Sequence, residues 1–216
     1  MAAVCTYFDE YYKRWHQDIY RMCFILSRSA VDAQQLSFDV FLRLGAARNA
    51  AIGQDEAKAL LFSSAVRLCD DYYLRKMRRR PKRASYAQAN LPFPITDALW
   101  QLMGLPFKAR AALCLAHAGF SDAQAARMCR LHGGVAALPG KQREQYMEAI
   151  ASVCLPQDDA QALCDRVYDR FAERSVAFEN RLHSMKSAMD HAAPYLALAV
   201  LALFLFAAWF SMQMAV

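Results

Sequence analysis

Apolar side chains recur along this chain at intervals of three and four, the spacing that puts them on one side of an α-helix. Phe8, Tyr12, Trp15, Ile19, Met22 and Leu26 make the first stripe and predict a helix from Thr6 to Ser27. A second helix is expected to start at Ser29, whose hydroxyl can cap a free backbone N–H, while Asp32 suits the positive end of the helix dipole. Ala33, Leu36, Val40, Phe41 and Leu44 give it an apolar face, Gln34, Gln35, Asp39 and Arg43 a polar one, and Gly45 is its expected stop. Ala57, Leu61, Ala65, Leu68 and Tyr72 mark a third helix.

That third helix runs into Arg75, Lys76, Met77, Arg78, Arg79, Arg80, Pro81, Lys82 and Arg83, seven positive charges in nine residues. Proline ends the helix there. After a proline-restricted linker, Thr96 is expected to cap a short helix carrying Leu99, Trp100 and Leu102 that ends at Gly104. Pro106 suits the first turn of the next helix, Phe107 to His117, with Gly119 at its exit. Ser121 and Gln124 have the capping-box spacing for a helix from Asp122 to Leu131, and His132-Gly133-Gly134 reads as a turn. Lys141 to Cys154 predicts a further helix stopped by Pro156.

A long helix then opens at Asp158 or Asp159. Its stripe is Ala160, Cys164, Val167, Phe171, Phe178, Leu182, Met185 and Met189, interrupted by Arg174. Such a stalk can pack on its own body, on a twin or on a membrane partner.

From Ala192 to Val216 no residue is charged, and Tyr195 to Met214 has about the 20 residues that a membrane-spanning helix needs. Arg181, His183 and Lys186 precede this run and nothing positive follows it, so the N-terminal body is expected on the cytoplasmic side. The first thirty residues hold Asp9, Glu10, Lys13, Arg14 and Asp18 with no clean apolar core, so no signal peptide is expected.

Gly and Pro number only seven each and strand-type runs are missing, which predicts an all-α body. The net charge of +6 favours phosphate-rich partners or an anionic membrane surface. For the basic block itself, nucleic-acid phosphates, anionic lipid and a solvated linker all remain open. Seven scattered cysteines without a C-x-x-C pair read as reduced, buried small hydrophobes. Cys129 and His132 are three apart but lack two further ligands, so no metal is expected. No phosphate-binding loop, dinucleotide fingerprint, zinc-protease or nucleophile-elbow motif occurs, and the five histidines are dispersed, so neither catalysis nor a cofactor is expected.

Three segments carry a resemblance: Asp18-Ile-Tyr-Arg-Met-Cys; Val31-Asp-Ala-Gln-Gln-Leu-Ser-Phe-Asp-Val-Phe-Leu-Arg-Leu44; and Leu61-Phe-Ser-Ser-Ala-Val-Arg-Leu-Cys-Asp-Asp-Tyr-Tyr-Leu-Arg-Lys76. Together they resemble region two of the extracytoplasmic-function (ECF) sigma factors, with its A-E-D-L-V-Q-E-V-F-L-R-L run. Ala33, Leu36, Val40, Phe41, Leu42, Arg43 and Leu44 fall in register. Gln34 and Gln35 stand where that family usually has an acidic pair, Phe38 where it has Gln, and Arg67 where it has Asn. Ala98 to Leu115 followed by Gly119-Phe-Ser-Asp-Ala-Gln-Ala-Ala-Arg-Met resembles region four, a helix-turn-helix, with the groove-entering helix expected at Val135 to Leu138.

The resemblance implies a bacterial sigma factor that binds core RNA polymerase and promoter DNA. Polymerase contacts then fall to Gln35, Leu36, Asp39, Val40 and Arg43. DNA contacts fall to Arg67, Arg75, Lys76, Arg78, Arg79, Arg80, Lys82 and Arg83, and in the second region to Ser121, Gln124, Arg127 and Arg130. An anti-sigma or membrane signalling partner is implied as well, with lipid around the C-terminal helix. The expected organisation is a region two-like domain (1–83), a linker (84–95), a helix-turn-helix (96–140), a helical extension (141–191) and a transmembrane helix (192–216).

Overall fold

The computed structural model describes residues 2–46, 53–79, 93–131, 140–173 and 177. Among the described residues all regular structure is helical: α1 (Ala2–Ser27), α2 (Ala30–Ala46), α3 (Gln54–Arg79), α4 (Asp97–Gly104), α5 (Phe107–His117), α6 (Asp122–Met128), α7 (Gly140–Ser152) and α8 (157–173). No helix among the described residues is long and apolar enough to cross a membrane. The span expected at 192–216 lies outside them, as do the helix expected at Val135 to Leu138 and most of the 84–95 linker.

The chain divides into two units, Met1–Asp169 and Arg170–Val216. In the second, Arg170 pairs with Glu173 one turn on. The first contains both the segments that resemble region two and those that resemble region four.

Local chemistry places most helix ends where the residues put them. Ser29 Oγ accepts from the Asp32 N–H at 3.3 Å, Thr96 Oγ1 from the Leu99 N–H at 3.2 Å, and α5 spans Phe107–His117 as its Pro106 and Gly119 boundaries predict. Several ends differ from expectation, among them the far end of α7, at Ser152 where Cys154 was expected, and the start of α8, at residue 157 where Asp158 or Asp159 was. α1 starts at Ala2, a turn before its apolar stripe, and α2 passes Gly45 to Ala46. α6 stops at Met128 and not at Leu131, because Arg130 adopts a left-handed φ of 52°. The Leu131 N–H then reaches Ala126 O at 2.9 Å and the Arg130 N–H reaches Arg127 O at 3.2 Å, a Schellman closure with arginine where glycine is usual.

Helices α1, α2 and α3 share one core. Ile19, Met22, Cys23 and Ile25 of α1, Ala33, Val40 and Phe41 of α2, and Ala57 and Phe62 of α3 have no solvent exposure. Each large aliphatic or aromatic side chain so buried contributes about 1.5–3 kcal/mol. On another side of α1 lie α4, α5 and α7, with Leu99, Leu102, Met103, Leu115, Tyr146 and Ile150 buried.

The join between these groups is polar as well as apolar. Arg110 of α5, with no exposed surface, donates from Nη1 to Ile25 O at 2.6 Å and more weakly to Leu26 O at 3.4 Å, near the end of α1. In turn Arg28, at φ 61° just past α1, donates to Met103 O near the end of α4. Carbonyls of a helix's last turn lack intrahelical donors, and a guanidinium supplies them with charge as well as a hydrogen bond.

Between α7 and α8 the chain has no regular structure from Val153 to Pro156 and lies on α1. Gln17 brackets Leu155, donating to its carbonyl and accepting from its N–H, both at 2.9 Å. Arg21 donates to Val153 O at 2.9 Å and Ala151 O at 3.2 Å. Ala160, Leu163, Cys164 and Val167 of α8 are then buried, Tyr12 donates to Ala160 O at 2.5 Å, and Tyr168 donates to the Asp9 carboxylate.

Candidate protein and nucleic-acid interface

An amphipathic helix that packs by one face leaves the other for partners. On α2, Gln35 and Arg43 are exposed and Asp39 is half-buried. Gln35 Nε2 donates to Asp39 Oδ1 at 3.3 Å, an i,i+4 contact along the exposed row. Desolvation raises the Asp39 pKa, opposed by the Gln35 hydrogen bond and by the charges of Arg43 and Arg166. Leu36 and Val40 are the other two residues expected in polymerase contact. They are 6% and 0% exposed and face the α1–α3 core. A partner on this face meets Gln35, Asp39 and Arg43, while Leu36 and Val40 hold the helix in place beneath them.

Two residues that the periodicity did not single out belong to the same surface. Asp159 Oδ2 accepts from Gln34 Nε2 at 3.2 Å, and Arg166 Nη2 donates to Gln35 Oε1 at 3.3 Å. The Arg166 guanidinium also lies 4.8 Å from the centre of the Phe38 ring, within cation–π range. The signal available was weak: Asp159 and Arg166 are seven apart, two turns of one helix, as Gln34 and Phe38 are one turn apart on another.

The basic block begins on a helix and leaves it. Arg67 and Arg75 are exposed on α3, Lys76, Arg78 and Arg79 belong to its last turns, and Arg80, Lys82 and Arg83 lie outside the described residues. Positive charge at a helix C-terminus is favoured by the dipole. Asp70 and Asp71 are exposed between Arg67 and Arg75, so the uniformly positive stretch starts at Arg75. Leu74, 51% exposed, adjoins it.

Around α6 the candidate DNA contacts separate into two kinds. Ser121 and Gln124 engage each other: the Gln124 N–H reaches Ser121 Oγ at 3.3 Å, and the Ser121 N–H reaches Gln124 Oε1 at 2.9 Å. Their polar atoms hold the helix start together. Arg127 and Arg130 are exposed, Arg127 bonding weakly to Ala123 O at 3.4 Å. Ahead of α6, Gly119 turns the chain at φ 83°, and Phe120 packs edge-on against Phe62 of α3 at 5.2 Å. An ion pair at 2.9 Å between Arg143 and Asp122 ties α7 to α6.

Burial shifts several thiols and one histidine. Cys23, Cys69, Cys114, Cys129 and Cys164 are buried, Cys154 is half-buried, and these six are free thiols. Desolvation pushes the Cys114 thiol well up and those of Cys129 and Cys164 to about 11, which leaves them protonated and poorly nucleophilic. Desolvation likewise lowers the pKa of His117, whose Nδ1 lies 3.9 Å from Asp18 Oδ1. Among the described residues no group of three or more His, Cys, Asp or Glu is placed to hold a metal ion.

No family model, curated protein or solved structure matches the chain.

Proposed function

We propose that this chain is a membrane-tethered transcription initiation factor of the ECF sigma type. In this reading the exposed row of α2 engages core RNA polymerase and the basic end of α3 engages promoter phosphates. The observation that supports it best is the three-helix unit α1–α3, in which α2 presents Gln35, Asp39 and Arg43 outward while α3 leads directly into seven positive charges. Phosphate neutralisation by such a block is sequence-independent and releases counterions. Arg127 and Arg130 add contacts that position DNA without reading it. The apolar stretch 192–216 anchors the chain in the cytoplasmic membrane, where an anti-sigma or other membrane signalling partner governs its release.

The test is co-purification of Met1 to Lys186 with bacterial core polymerase, followed by run-off transcription from genomic DNA. Specific initiation is the expected result. A folded fragment that neither binds nor initiates would overturn the proposal.

A second reading is favoured by one observation. Arg110, fully buried, joins the segment resembling region four to the end of α1. A chain whose halves are so joined suits a membrane adaptor that keeps a sigma-like fold and binds protein instead of promoters. Retained polymerase binding without initiation is the outcome that selects it.

A further inference from the structure

Helix α2 departs from the sigma-factor pattern at Gln34, Gln35 and Phe38, and each of these three side chains meets α8. Gln34 donates to Asp159, Gln35 accepts from Arg166, and the Arg166 guanidinium sits against the Phe38 ring. At positions 34 and 38 the pattern's own residues would not serve here. A carboxylate at position 34 would face the Asp159 carboxylate, and glutamine at position 38 has no ring for a cation. These departures therefore fit an α2 surface built to receive a segment of the same chain.

We infer that residues 157–168 form an intramolecular cover over one side of α2, at Gln34, Gln35 and Phe38, which has to leave before a partner can take hold of that side. Two features separate a cover from an ordinary core helix. Its contacts across α2 are polar and lie at exposed positions, where water can replace them. The segment before it, Val153 to Pro156, is non-helical and is fastened to α1 through main-chain hydrogen bonds with Gln17 and Arg21. α8 can thus swing from a fixed base while α1–α7 stay folded. Like a core helix, α8 also buries an apolar stripe of Leu163, Cys164 and Val167, so the vacated seat suits an amphipathic helix of the incoming partner. Naming that partner as core polymerase rests on the proposed function; the cover itself does not.

Hydrogen–deuterium exchange on the full chain in detergent micelles, compared with its Asp159→Lys/Arg166→Glu double variant, separates the two claims. In the wild type, amides of 157–168 are expected to exchange as a unit ahead of α1 and α3. The double variant places a carboxylate at position 166 near Asp39 and removes the cation from the Phe38 ring, and α8 exchange is expected to rise about tenfold while α1 and α3 are unchanged. Capture of core polymerase should rise by a similar factor. Exchange of 157–168 in step with α1 and α3 in the wild type would make α8 a core helix and overturn the cover. So would equal polymerase capture by both proteins at a measurable level. A variant that releases α8 while neither protein captures polymerase would support the cover and sink the sigma-factor reading alone.

Discussion

Replacing Arg110 tests whether α5 and α1 belong to one cooperative unit. The side chain has no exposure and holds Ile25 O at 2.6 Å and Leu26 O at 3.4 Å. Arg110→Ala removes two methylenes at about 0.8 kcal/mol each along with the guanidinium. It also leaves a buried carbonyl without its donor, at about 1–3 kcal/mol. Relief of the desolvated guanidinium works in the opposite direction, since burying such a charge costs several kcal/mol. With that relief set against roughly 3–5 kcal/mol of lost packing and hydrogen bonding, a net loss of about 1–3 kcal/mol is expected. Arg110→Met keeps most of the stem and should lose about 1–3 kcal/mol, the part due to hydrogen bonding. The assay is urea unfolding of Met1 to Asp169 carrying Trp100→Phe, so that Trp15 fluorescence reports on α1 while far-UV circular dichroism reports on all helices. Coincident transitions shifted to lower urea in both variants are expected. A loss below about 1 kcal/mol for Arg110→Ala, or a Trp15 transition that stays put while the dichroism splits, would refute the reasoning.

Three further outcomes follow from the structure. Neutralising Arg75 to Arg83 should lower DNA affinity and flatten its salt dependence together, by about 0.9 in log–log slope for each phosphate no longer neutralised; anisotropy titrations across salt concentrations check this. Gln17→Ala removes both hydrogen bonds to Leu155 and should cost about 2 kcal/mol, with earlier proteolysis at 153–156 as a second readout. His117 has a folded pKa below its ordinary value of about 6.5, chiefly through desolvation, so the native state binds fewer protons than the unfolded one. Its contribution to stability is therefore present above that ordinary value and lost as pH falls through the lower folded one, and His117→Gln should flatten the change in urea midpoint between neutral and mildly acidic pH.

Much of the local structure was legible in the residues, because its causes are local. Thr96 and the Ser121–Gln124 pair mark helix starts through side chains that reach backbone N–H groups three residues away. Pro106 and Gly119 bound α5, and the stripes of α1 and α2 name the residues that end up buried. The end of α6 was less legible, since arginine in a left-handed conformation gives no composition signal. Among the candidate contacts, exposure of Gln35 and Arg43 and burial of Leu36 and Val40 follow from which face of α2 meets α1 and α3.

The sequence by itself determined the helical character of the described residues, the apolar faces of their helices and a dense positive block at the end of α3. Only the tertiary structure decided what those helices cover. Arg110 has the composition signature of a solvated charge, yet it is interior because carbonyls 84 and 85 positions away in the chain need donors. Gln34, Gln35 and Phe38 look like lost function in one dimension and become contacts once α8 lies beside them. Periodicity reports which side of a helix is apolar. The identity of what packs there, or crosses the polar side, depends on residues more than a hundred positions away, and no local pattern carries that information.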